Sequence, residues 1–251
     1  MNKVFKIVSS AILRRWLSLY FGKPVDWKQV LKFVRDGCGG DNVFEDSLRM
    51  DAALYEWISI EAGQIKEGSH PKHRYLNYFQ WFSSHLEEAD TVLDIGCGHG
   101  QMTLYMAENT SAKVLGVELE KEKIDFCQKT HLKENLTFLH GDITEMSLAD
   151  LSQTDVVTLS NVLEHIEDRQ ALLSAVTSLS PRLLLIRVPQ YDRDWRVPVK
   201  NECGIDYRLD KTHVLEYTEE AFDKEMMDAR IEVISKKFNW GEIWAVCRPI
   251  R

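Results

Sequence analysis

Three glycines alternate with other residues in Thr91-Val92-Leu93-Asp94-Ile95-Gly96-Cys97-Gly98-His99-Gly100. Val92, Leu93 and Ile95 read as a short buried strand, and Met102-Thr103-Leu104-Tyr105-Met106 begins a helical pattern. A strand that turns at once into a helix needs glycine for two reasons. The turn requires backbone angles closed to other residues, and a ligand must come close to the main chain. The helix start offers free N–H groups, which favour the polar or anionic end of a ligand. Acids close two later strand-like runs: Glu118 after Lys113–Val117, and Asp142 after Leu136–Leu139. A carboxylate at such a strand end can accept a pair of ribose hydroxyls. Ser160-Asn161-Val162-Leu163-Glu164-His165 follows another strand pattern. His213 lies in a long polar stretch with Asp206 and Asp210 ahead of it. Imidazole is the side chain best matched to proton removal near neutral pH, and an acid beside it would orient it.

Glycine spacing separates ligand classes. Dinucleotide sites use G-x-G-x-x-G, which would place glycine at position 101, where Gln101 stands. Here the pattern is G-x-G-x-G, with Asp94 two residues ahead of Gly96. Together, VLDIGCGHG resembles the first motif of the class I S-adenosylmethionine-dependent methyltransferases. The resemblance covers roughly residues 70–250 and implies a cofactor, S-adenosylmethionine, and a site around it. The loop of Asp94, Gly96, Cys97, Gly98 and Gly100 would pass beside the methionine part. Cys97 is read as a small packing side chain, not a nucleophile. Glu118 would take the ribose hydroxyls. Asp142 would accept from the adenine amino group while Ile143 packs on the ring. Asn161 would lie under the cofactor, and Arg74 would meet its carboxylate, because guanidinium suits that planar anion. Glu164 and His165 are adjacent on what reads as a helix start, so at most one is expected to reach a substrate. Some quinone-pathway relatives use acidic and His residues at this place for a divalent metal; no residue is assigned to a metal here.

Five strand–helix units and a final strand pair must position these residues. The expected fold is α/β: a Rossmann-like, seven-stranded, mostly parallel sheet with helices on both faces, plus an N-terminal helical extension. Residues 1–60 are assigned to the extension and 61–251 to the methyltransferase domain. Leu183-Leu184-Leu185-Ile186-Arg187-Val188 is apolar, as a central parallel strand should be. Gln190 to Tyr217 is longer than an ordinary connection, and loops at the carboxyl ends of strands carry substrate contacts in such folds. Within it, Tyr191, Trp195 and Tyr207 could pack on a sugar face, and Arg193, Arg196 and Arg208 could hold phosphate or carboxylate. Residues 3–21 form an amphipathic pattern, with Phe5, Val8, Ile12, Trp16 and Leu19 on one face and Lys3, Lys6 and Arg14 on the other. Such a helix packs on its own domain, docks a protein partner or lies on an anionic membrane at the inner face.

The formal net charge of −8 argues against a general nucleic-acid binder. Five scattered cysteines with no C-x-x-C pair argue against a disulfide framework or a zinc site and fit a reducing cytoplasm. No apolar run reaches the length of a membrane span. The stretches Arg187–Pro198, Asp206–His213 and Trp240–Trp244 look like bacterial methyltransferases associated with polysaccharide biosynthesis. The expected reaction is O-methylation of a sugar, glycan or other small hydroxylated acceptor. His213 is the first candidate for the base, with Asp210 or Asp206 as its orienter and His165 as the second candidate. The alternative is a catalytically silent S-adenosylmethionine-binding protein with a regulatory or scaffold role.

Overall fold

The computed structural model describes residues 42–63, 75–143 and 153–250, with a few isolated positions besides. Residues 3–21 and Arg74, to which sequence reading gave roles, lie outside the described residues. The chain divides into two compact units, 1–50 and 51–251. In the first, the described chain is essentially the start of helix α1 (Val43–Gly63).

In the second unit, α2 (Tyr78–Ser83) precedes β1 (Thr91–Ile95), α3 (Gln101–Asn109), β2 (Lys113–Glu118), α4 (Lys121–Thr130), β3 (Leu136–His140) and β4 (Val156–Ser160). Then come α5 (Arg169–Ser178), β5 (Leu183–Pro189), α6 (Arg196–Glu202), α7 (Glu219–Asp228), β6 (Ile231–Asn239) and β7 (Glu242–Pro249). The sheet has seven strands in the order β3-β2-β1-β4-β5-β7-β6. β1 to β5 run parallel, and β7 joins β5 antiparallel with β6 outside it. The order reverses between β1 and β4, and the crevice at the carboxyl ends there is where open α/β sheets bind ligands.

The apolar runs become the central strands because both faces are covered. β1, β4 and β5 are almost wholly buried, whereas edge strand β6 is largely exposed and carries Lys236 and Lys237. One core cluster gathers Leu93, Leu159, Leu172, Ile186, Tyr217 and Phe222. The other sets Tyr78, Phe82, Met106 and Trp244 against Val92 and Leu185. The structure departs from the sequence reading in the 190–217 stretch, which is not all loop. Arg196–Glu202 is a helix held by apolar Val197 and by Lys200, whose ammonium group meets Asp51 at 2.6 Å. Leu163–His165 is a single 3-10 turn, not the start of an α-helix.

Candidate functional site

The glycine loop leaves β1 by folding over the end of β2. Gly96 and Cys97 N–H groups both donate to the Val117 carbonyl, at 2.8 and 3.1 Å. Gly100 has φ +70°, and a Cβ there would sit 2.8 Å from the Phe138 ring and 2.9 Å from Cys127 Sγ. Gly98, at φ +57°, is the opposite case, because a Cβ would meet nothing within 4 Å. The inner side of the turn is therefore packed, and the side at Gly98 faces open space. Cys97 packs with Ile124, Cys127 and Phe138, and burial pushes its thiol pKa up.

Glu118 staples this loop to the start of α4. Its Oε2 accepts from Gly98 N–H at 2.9 Å and its Oε1 from Glu120 N–H at 3.0 Å. A carboxylate has about four lone-pair sites, so each oxygen retains capacity for one further donor. Asp94 is turned inward instead. It is 1% exposed, and its two oxygens accept from Thr103 and Thr158 hydroxyls at 2.6 and 2.7 Å. Burial raises its pKa to about 6 despite those bonds. Its geometry is that of a brace between β1, α3 and β4 beneath the loop. Asp142 is half-buried at the turn after β3, and Ile143 is 7% exposed within the main core. Asn161, at φ +57°, caps β4 with its N–H on the Arg187 carbonyl and its Oδ1 on Arg187 Nε at 2.7 Å. Glycine loop, Glu118, Asp142 and Asn161 thus line the carboxyl ends of β1 to β4.

A second group lies beyond β4. Glu164 is fully buried, and neither carboxylate oxygen has a hydrogen-bond partner. Desolvation pushes its pKa up to about 8. One donor atom each from Glu164, His165 and His213 lie within 4.8 Å of one another, and the two imidazoles meet edge to face at 4.8 Å. Although Glu164 and His165 are adjacent in sequence, the tight 3-10 turn brings both to His213. This trio is a donor set of the kind that holds a divalent cation. Burial, and next the His213 ring, hold the His165 pKa below its ordinary value.

The acids around His213 differ from expectation. Asp206 pairs with Arg208 at 2.9 Å. Asp210 accepts from the Thr212 N–H and hydroxyl, and that hydroxyl bonds His165 Nδ1 at 3.0 Å. The partner of His213 Nδ1 is Glu216, at 3.0 Å. Asp210 therefore stands behind His165, and Glu216, which the sequence does not single out, holds the His213 ring. An acid three residues after a histidine is a weak signal, and only the fold of the 207–217 segment turns the two side chains together.

Beside this group a cavity of about 570 Å³ opens between residues 51–60 of α1 and the 190–211 segment. Tyr207 and three arginines, Arg193, Arg196 and Arg208, line it. Tyr191 meets Tyr207 edge to face at 5.1 Å, whereas Trp195 is 64% exposed and is not part of the cavity wall. Each arginine already has a carboxylate: Arg193 has Glu216, Arg196 has Asp51 and Asp194, and Arg208 has Asp206.

Residues 93–181 match a family model described as a methyltransferase domain. The fold is that of the class I, S-adenosylmethionine-dependent methyltransferases. The domain is similar to cypemycin N-terminal methyltransferase of Streptomyces sp, 32% identical over 131 residues, 50% of this chain and 51% of that protein. It is also similar to ubiquinone biosynthesis O-methyltransferase of Psychrobacter cryohalolentis, 32% identical over 92 residues, 35% of each chain. This chain spans about half or less of the length of those two relatives. Among solved structures, magnesium protoporphyrin IX methyltransferase from Synechocystis PCC 6803 with bound SAH superposes with a TM-score of 0.56. It is 17% identical and the match covers 71% of this chain and 83% of that one, a likeness of fold. The residues present fit such a cofactor, since Gly98 leaves its side of the loop open and Glu118 keeps free acceptor capacity next to it. Among the described residues, no helix is long and apolar enough to cross a membrane.

Proposed function

We propose that the protein methylates an oxygen of a small hydroxylated acceptor, a sugar or glycan hydroxyl being the class its polar, tyrosine-bearing cavity suits. The observation that carries this reading is His213. It is a 4% exposed imidazole whose Nδ1 is taken by Glu216 and whose Nε2 has no partner among the described residues, next to the β4 end. When bound, S-adenosylmethionine supplies an electrophilic methyl group; the new O–CH3 bond forms as the S–CH3 bond breaks and its electron pair stays on sulfur. Glu118 and Asp142 hold the adenosine end, and Gly98 admits the methionine end to the main chain. His213 takes the hydroxyl proton. Positioning and proton removal are the two contributions asked of the chain. Polysaccharide precursors are the acceptors to try first. Formation of S-adenosylhomocysteine with such acceptors tests the reading. Tight cofactor binding with no turnover across hydroxylated acceptors would leave a silent binder.

Glu164 favours a second reading of the same site, with a divalent cation on Glu164, His165 and His213 activating the acceptor oxygen. A buried carboxyl without partners costs about 1–3 kcal/mol, and a cation would offset that cost. Imidazole with carboxylate suits zinc, manganese or iron. Calorimetric titration with Mn²⁺ or Zn²⁺ decides. Binding that disappears in Glu164→Gln supports the cation, and no binding leaves His213 as a free base.

A further inference from the structure

His213 is one of three donors that converge on a single buried carboxylate. Glu216 has a side chain 0% exposed. Its Oε1 accepts from Leu209 N–H at 2.6 Å and from His213 Nδ1 at 3.0 Å, and its Oε2 takes Arg193. The backbone beside it is fixed to the sheet, with Tyr217 N–H on the Pro189 carbonyl at 3.0 Å and Tyr191 N–H on the Tyr217 carbonyl at 2.7 Å. Arg193 is itself held by the Gln190 and Tyr207 carbonyls, both at 2.8 Å. Glu216 therefore cannot follow the His213 ring; the ring must follow Glu216.

The charge on Glu216 is secured as well. Each oxygen faces a donor, Leu209 N–H and His213 on Oε1 and the Arg193 guanidinium on Oε2, a setting that suits the carboxylate and not the carboxylic acid. An ionised carboxylate only accepts, so the ring nitrogen facing it must carry a proton. In a neutral imidazole the other nitrogen then has the lone pair.

We propose that Glu216 is the positioning residue of the site: it fixes the neutral His213 ring as the Nδ1–H tautomer and so keeps the Nε2 lone pair for the acceptor. This deepens the reading of His213 as the base, but its test needs no turnover and can fail separately. Its rival is a carboxylate that only pins the 190–217 segment, with no hold on the ring.

Long-range ¹H–¹⁵N spectra of the histidine rings separate the two, with His213 assigned through His213→Gln. The full chain is recorded at pH 9, where imidazole is neutral. The expected wild-type signature is a proton on Nδ1. In Glu216→Gln one amide oxygen must serve donors that had two, and the Nδ1–H form should give way to Nε2–H. Calorimetry with S-adenosylmethionine, unchanged within about twofold, reports that the variant is folded. A wild-type ring protonated on Nε2 would overturn the proposal even if the variant failed to fold. So would an unchanged Nδ1–H signature in folded Glu216→Gln.

Discussion

At the scale of single residues, Glu118 and His213 are asked to do different things, and their variants should fail differently. Glu118 already accepts from Gly98 and Glu120 N–H groups, and the hydroxyls of a bound nucleoside would complete its shell. Glu118→Ala should weaken S-adenosylmethionine binding by about 1–3 kcal/mol, the cost of losing hydrogen bonds to a charged acceptor. Calorimetry with unchanged affinity would remove Glu118 from the site. His213→Ala should instead lower turnover by about 10²–10⁴ with cofactor affinity nearly constant, the usual cost of losing a general base. Full activity would remove the base role, and lost cofactor binding would make the residue structural. What the sequence displayed here was residue type at a strand end, and that sufficed to place Glu118, Asp142 and Asn161 along one edge. It could not display orientation. Asp94 sits in the motif yet faces Thr103 and Thr158, and Asp210, as near in sequence to His213 as Glu216 is, turns to Thr212.

Among elements, the strand-to-helix turn after β1 has the least tolerance. Gly100 stands at φ +70° with Phe138 and Cys127 against the place a side chain would take. Gly100→Ala should destabilise the fold by about 1–3 kcal/mol from backbone strain alone, with the ring contact added. Gly98→Ala carries similar strain but no collision, so it should be the milder of the two in urea unfolding while harming cofactor affinity more. Equal stability losses and unaffected binding in both would contradict the division into a packed side and an open side. The parallel strands were legible because burial on both faces writes them as unbroken apolar runs, as in Leu183–Val188. Helix α6 was not, because Arg196, Pro198, Lys200 and Asn201 give no apolar stripe; ion pairs to Asp51 and Asp194 position it instead.

For the molecule as a whole, the brace under the glycine loop ties stability to pH. Asp94 ionises near 4 when unfolded and at about 6 in the fold, with burial the main cause. Between those values the folded chain keeps a proton that the unfolded chain has lost, so this residue's contribution is full below pH 3.8 and fades as pH rises through about 6. Asp94→Asn removes the titration. Its unfolding free energy, relative to wild type, should therefore improve from pH 4.5 to pH 7; a difference flat across that range would mean the carboxyl ionises normally. The sheet order was legible from the succession of strand and helix patterns, but its closing pair does more than finish the sheet. In the turn between β6 and β7, Gly241 has φ +78°, and a Cβ there would lie 2.9 Å from Arg193 Cβ and 3.0 Å from its Cδ. The hairpin of β6 and β7 thus supplies the floor on which Arg193, a residue of the cavity wall, rests. A side chain added at Gly241 would therefore press on Arg193 from a hairpin more than forty residues downstream, moving a wall residue of the cavity and, through its ion pair, the carboxylate of Glu216.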